Sequence, residues 1–327
     1  MSELYIKQEL LKTLGQLDAL ILDIDGVVLD VSQSFRVAIA DTAQYYATQV
    51  LNLADSGPIL QTGETELFKM AGGFNSDWDL TNAVVALIVA KQAQTSADNT
   101  LTIREAELSW DDYTQAIKRR GGGLKAAEAV ILEYLTPSER RDFATRWNPK
   151  LVTQLFQEMY AGDGTCRALY GFDPEHIHGE GYYKNEKVIL DANLLPAKLK
   201  IGIVTGRTDS ETRLALKMAG LTQRIPESNW ITEDSGVRKP DGRTMLQLRE
   251  KMSFRYAIFI GDTIDDHQTV LNYRELKGSG KAKIVACTSL SGPSGAKHRQ
   301  FFLEAGAEIV TPEANMLLQY LNQILPK

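Results

Sequence analysis

Cysteine is nearly absent from this chain. Cys166 and Cys287 are the only two and lie far apart, which excludes a disulfide framework and a thiolate-built metal site and fits a reducing compartment. Long apolar runs are missing as well: none approaches the roughly 18 residues that a membrane span needs. The amino-terminal MSELYIKQELLKTLGQ is amphipathic and broken by charges, unlike the apolar centre of a signal peptide. Basic excess is lacking too, since 36 Lys and Arg against 42 Asp and Glu give a formal charge of −6. No block of like charge suggests a nucleic-acid footprint, a polybasic membrane patch or a solvated tail, and there is no internal repeat or low-complexity tract. These absences predict a cytoplasmic protein whose partner is a small molecule, with no nucleic acid and no membrane. They leave its oligomeric state open.

What is present is the balance of a globular chain. The 327 residues are 43% apolar and 24% charged, enough for one large or two ordinary domains with a sizeable core. Five short β-rich runs stand out: DALILDIDG (18–26), KIGIVTGR (200–207), NWITED (229–234), YAIFIGD (256–262) and KIVACTS (283–289), with a weaker AEIV at 307–310. They lack clean polar alternation and are separated by helical segments, Asp209 to Ala219, Arg243 to Lys251 and Asp265 to Leu276. Such runs predict strands covered on both faces, in a doubly wound parallel α/β sheet. The interval between the first two runs differs. SQSFRVAIADTAQYYATQVL, DLTNAVVALIVAKQ, SWDDYTQAIKRR, LKAAEAVILEYL, SERRDFATRW and PKLVTQLFQEMY all carry a helical period, with breaks at AGGFNSDWD (71–79), QTSADNT (94–100) and RRGGGLK (119–125). The predicted organisation is a core of residues 1–30 and 197–327 with a mostly α-helical domain of residues 31–196 inserted after the first strand.

Polar residues gather where the runs end. Asp23 and Asp25 follow the first, Thr205-Gly206-Arg207 the second, Lys239 in VRKPDG the third, and Asp262, Asp265 and Asp266 the fourth. In open α/β sheets ligands sit outside the carboxyl ends of the strands, so the four ends predict one crevice holding several carboxylates and a lysine. Carboxylates held together repel unless a cation is present. A donor set of oxygens without His or Cys favours a hard ion, Mg²⁺, which commonly bridges to phosphate. Thr205 as hydroxyl donor, the Gly26 and Gly206 turns for close backbone approach and Lys239 as positive charge suit a phosphoryl dianion.

The ordered set DIDGV, IVTGR, the lysine of RKPDG and FIGDTIDD closely resembles the four motifs of the haloacid dehalogenase (HAD) superfamily, and the helical insertion resembles the cap of its subfamily I, type IA. The resemblance implies a Mg²⁺-dependent phosphatase of a small phosphorylated metabolite. Asp23 would be the nucleophile forming an aspartyl-phosphate and Asp25 the acid and base. Thr205, Gly206 and Lys239 would bind the phosphoryl group. Mg²⁺ would be held by Asp23, the Asp25 carbonyl and Asp262, with Asp266 orienting its water from behind. An acidic Asp25 argues against the dehalogenases, whose carbon chemistry has no alkoxide to protonate. In the cap, Lys69, Asn75, Asp77 and Trp78 flank a Gly-Gly bend suited to a substrate-specificity loop. Three alternatives stand beside the phosphatase: a phosphomutase of the β-phosphoglucomutase type, a phosphonate-cleaving enzyme with Lys69 as Schiff base, and a non-catalytic phosphometabolite-binding protein. His176 and His178 have metal-ligand spacing but no third ligand nearby. The glycines at 121–123 read as a helix connection, and Asp18 as surface.

Overall fold

The computed structural model describes residues 3–95, 97–292 and 295–326; of the predicted breaks only QTSADNT reaches outside these, at residue 96. The chain divides into two compact units, residues 1–31 with 187–327, and residues 32–186. Each has its own core.

Among the described residues, the first unit is built on nine short strands: β1 (Tyr5–Ile6), β2 (Ala19–Leu22), β3 (Leu29–Asp30), β4 (Lys187–Val188), β5 (Lys200–Val204), β6 (Trp230–Ile231), β7 (Tyr256–Gly261), β8 (Lys283–Ser289) and β9 (Ile309–Thr311). Seven form one sheet in the order β1-β9-β8-β7-β2-β5-β6, parallel except for β1, which runs antiparallel to β9. The absence of alternation in the sequence has its reason here. Leu20 and Leu22 of β2 join Ile201, Ile203, Ile258 and Ile260 under Leu216, Leu317 and Leu318 on one face. Ala19 and Ile21 join Phe259 and Ile284 under Met245, Leu248 and Val270 on the other. Both faces are roofed by helices, so all four positions of β2 and the buried middles of β5, β7 and β8 are apolar. Each fully buried Leu or Ile contributes about 1.5–3 kcal/mol.

Strand order fixes the position of the crevice. The chain leaves β2 for β5 and β6 on one side, then returns to β7, β8 and β9 on the other, so β2 is the switch point of the sheet. The register aligns Leu22 with Ile203 and with Ile260. Continued by one residue, it sets Asp23 level with Val204 and Gly261.

Two features depart from the sequence reading. The return from the insertion comes ten residues before position 197: β4 pairs with β3 as an antiparallel ribbon, and Leu190 and Leu195 pack into the core cluster, which draws 187–196 into the first unit. Asp18 is not idle surface either, since its carboxylate accepts the backbone N–H groups of Arg255 and Tyr256 and pins the start of β7.

The second unit surrounds the helix Asp77–Gln94, in which every residue from Leu80 to Lys91 is buried. A helix apolar all round needs neighbours on all sides. The helices Phe35–Tyr45, Gly123–Tyr134, Pro137–Arg146 and Pro149–Ala161 supply them. Local signals set the ends: Ser76, Asn99, Ser109, Thr136 and Asn148 each cap a helix through a side-chain oxygen, and Thr136 adds a capping box with Glu139. The break at Gly121 to Gly123 is a backbone contact. Gly123 N–H donates to the Gly72 carbonyl at 2.9 Å, and a Cβ on Gly122 would stand 2.3 Å from that oxygen.

Lys91 is the one cation in the buried stretch of the central helix. Its Nζ donates to the Arg104 carbonyl at 3.1 Å and lies 5.6 Å from the Trp110 ring centre. Burial, with the Arg104 charge, pulls its pKa down to about 8. A lysine depressed in the folded state costs stability when protonated, and that cost disappears as pH rises from about 8 towards the unfolded value. The stability advantage of Lys91→Met over the parent, measured by urea unfolding, should therefore shrink by up to about 3 kcal/mol across that window. A difference that stays constant with pH would contradict it.

Candidate active site

The β2 ladder runs one residue past its end: Asp23 N–H donates to the Ile260 carbonyl at 2.9 Å, while Asp23 Oδ1 accepts the Ile24 N–H at 2.7 Å. The chain then turns tightly. Val28 and Leu29 donate to the Ile24 carbonyl, and Gly26 donates to Leu29 with φ of +69°, the left-handed region that suits glycine. Thr205 follows β5, tied by its N–H to the Ile231 carbonyl at 3.0 Å, and Asp262 follows β7.

Asp23, Asp262 and Asp266 are all buried, with one carboxylate oxygen from each within 4.8 Å of the others. Lys239 Nζ stands between two of them, 2.7 Å from Asp23 Oδ2 and 2.5 Å from Asp266 Oδ1. One ammonium against three carboxylates leaves negative charge uncompensated. Burial, opposed by Lys239 and reinforced by Asp266 and Asp25, pushes Asp23 up to about 7. Burial and the neighbouring Asp266 and Asp23 raise Asp262 well above its ordinary value. Burial also acts on Asp266 and Lys239, but attraction wins: Lys239 holds Asp266 below its ordinary value, and Asp23 with Asp266 holds Lys239 above its own. Asp262 Oδ1 is buried without a hydrogen-bond partner. An orphaned buried carboxylate oxygen inside an all-oxygen donor set fits a hard cation.

Asp266 has two duties at once. It is the third residue of the helix Ile264–Arg274, where its Oδ2 accepts the N–H groups of Asp262 and Thr263 and the Thr263 hydroxyl in a capping box. Its other oxygen takes Lys239. With both oxygens engaged, Asp266 braces Asp262 and Lys239. Thr205 Oγ1 accepts the Arg207 N–H at 3.3 Å, which leaves the hydroxyl proton to donate, and Gly206 lies half-buried beside it.

Two parts of the site have no role in the sequence reading. The loop after β8 reaches the crevice: Ser291 Oγ donates to the Gly26 carbonyl at 2.7 Å, and a Cβ on Gly292 would lie 1.8 Å from Asp262 Oδ2. The Ser-Gly run after KIVACTS was the available signal. Arg207, read only as the third letter of Thr-Gly-Arg, is buried and paired to Asp25, with Nη2 2.7 Å from Oδ1.

The remaining candidates fall elsewhere. Asp265 is buried in the first turn of the same helix. In the second unit, Lys69 pairs with Asp77 at 2.9 Å and donates to the Phe74 carbonyl at 2.9 Å. Asn75 is half-buried on the same bend, and Trp78 meets the Tyr170 ring edge-on. His176 donates its backbone N–H to Glu158, as Glu175 and Ile177 do. These bonds outweigh burial and hold the Glu158 carboxyl below its usual range. His178 pairs with Asp163, so the two histidines share no ligand set. Among the described residues, Asp23, Asp262 and Asp266 are the one cluster of potential metal ligands, and no helix is long and apolar enough to cross a membrane.

No family model matches the chain. It is 39% identical over 253 residues, 76% of its length, to imidazoleglycerol-phosphate dehydratase of Phytophthora nicotianae, and spans 40% of that protein's length. A solved phosphatase, Tt82 of Thermococcus thioreducens, matches 93% of this chain and 98% of its own with a TM-score of 0.58 at 20% identity. A structural-genomics target matches 94% of this chain and 99% of its own with a TM-score of 0.62 at 16% identity. At these identities the likeness is one of fold.

The crowded carboxylates make a prediction about stability. Asp262→Asn keeps the shape and removes a carboxyl group whose ionisation the folded site opposes and the unfolded chain allows, so in EDTA at neutral pH the variant should melt a few degrees higher than the parent. An unchanged or lower melting temperature in calorimetry would contradict the charge balance described.

Proposed function

We propose that this chain, whose fold is of the haloacid dehalogenase type, is a Mg²⁺-dependent phosphatase of a small phosphorylated metabolite. The observation that carries the reading is the buried Asp23–Lys239–Asp266 array at the switch point of the sheet, beside the orphaned Asp262 oxygen. A site with excess buried negative charge and one fixed ammonium suits a cation and a phosphoryl dianion arriving together.

In the proposed reaction a carboxylate oxygen of Asp23 attacks phosphorus and the bond to the leaving oxygen breaks. Asp25 gives that oxygen its proton. Water then attacks phosphorus, Asp25 takes the water's proton, the bond to Asp23 breaks, and phosphate leaves with both carboxyl groups restored. Lys239 and the Thr205 hydroxyl hold phosphoryl oxygens. Asp23, Asp262 and the Asp25 carbonyl would hold Mg²⁺, which when bound supplies positive charge to offset the carboxylates and the phosphoryl group. Asp266, with both oxygens committed, keeps Lys239 and the Asp262 backbone in place.

The dehydratase of P. nicotianae is named for an imidazole-bearing phosphate monoester. Imidazole-bearing phosphate monoesters therefore belong in the first substrate panel, together with sugar and hydroxy-acid phosphates. For Lys69, the ion pair to Asp77 disfavours the phosphonate reading, because a Schiff-base lysine has to be free and neutral.

With such a panel and p-nitrophenyl phosphate, phosphate release should require Mg²⁺, stop in EDTA and return on adding the ion back. Asp23→Asn should lower it by on the order of 10³-fold or more. Turnover retained by that variant would overturn the nucleophile assignment. Phosphorus NMR separates the readings further, because a phosphomutase returns phosphate to the sugar and a hydrolase releases it.

A further inference from the structure

Asp25 and Arg207 form an ion pair that the four-motif reading does not use. Arg207 Nε and Nη2 lie 2.8 and 2.7 Å from the same oxygen, Asp25 Oδ1. The guanidinium side chain is 1% exposed and that of Asp25 27%. Arg207 is itself fixed by its backbone: its N–H reaches Thr205 Oγ1 and its carbonyl accepts the Glu233 N–H at 2.9 Å. A planar fork buried and held at its base is a rigid support. The partner it supports is the more exposed of the two, on the turn beyond Asp23.

We propose that Arg207 is a positioning residue for Asp25: by holding Oδ1 it reserves Oδ2 for exchanging the proton with the leaving oxygen and then with water. This rests on the phosphatase reading above. In the first step the proton passes from Asp25 Oδ2 to the leaving oxygen as the phosphorus–oxygen bond breaks. In the second it passes from water to Oδ2 as phosphorus is attacked. Arg207 gains and loses no proton in either step.

Leaving-group dependence separates this role from direct binding of the phosphoryl group. The constant kcat/KM reports the steps through departure of the leaving group. An alkyl phosphate needs its leaving oxygen protonated, whereas p-nitrophenolate departs without help. General acid catalysis is worth about 10²–10⁴-fold. Arg207→Met should therefore lower kcat/KM for an alkyl phosphate by on the order of 10²-fold and for p-nitrophenyl phosphate by less than about 5-fold, with the inhibition constant of inorganic phosphate unchanged. Arg207→Lys should recover part of the loss, and Arg207→Met added to Asp25→Asn should cost little more than Asp25→Asn alone. Circular dichroism and melting establish that the variants fold. Where Arg207→Met does not fold, Arg207→Lys carries the same comparison of the two substrates. Equal losses on both substrates with weakened phosphate inhibition would make Arg207 a phosphoryl ligand and overturn the proposal, as would no loss at all. A parent protein that turns over neither ester would instead remove the phosphatase reading beneath it.

Discussion

Three carboxylates with oxygens within 4.8 Å of one another, all buried, are the constraint that the first unit is arranged around. Left alone, such a cluster would take up protons or open to water. Lys239 prevents part of this by bridging Asp23 and Asp266. The capping box at the start of Ile264–Arg274 prevents more, because Asp266 Oδ2 takes two backbone N–H groups and a hydroxyl. What is left over concentrates on Asp23 and Asp262. The raised pKa of each marks where a cation would be most welcome.

That arrangement depends on the sheet more than on any loop. Parallel strands in register set Asp23 level with Val204 and Gly261, one residue short of Thr205 and Asp262, and the apolar positions beneath them leave no slack for a slipped pairing. The tight turn at Gly26 and the close approach of Gly292 then press backbone against Asp262. Site and core are consequently linked. The carboxylates are held in an unfavourable setting because the packing below them is favourable.

The second unit follows a different logic. Its core is a helix buried all round, ringed by helices whose ends are set by local caps. Its polar interior is settled by partners as well: Glu158 by three loop N–H groups and Lys69 by Asp77.

The sequence by itself determined the strands Ala19–Leu22, Lys200–Val204, Tyr256–Gly261 and Lys283–Ser289, the helical character of the insertion and the polar groups at the strand ends. Each is written in residues near one another: apolar runs ended by glycine or aspartate, helical periods opened by Ser, Thr or Asn. The edge strand Tyr5–Ile6, the ribbon that joins 187–196 to the first unit, the pinning of β7 by Asp18, the approach of Gly292 to Asp262 and the pairing of Arg207 with Asp25 were decided by the tertiary structure. All five join segments distant in the chain through contacts that no local period encodes. Whether an aspartate ends up paired, capped or orphaned depends on which strands become neighbours, and that is fixed only when the sheet closes over its core.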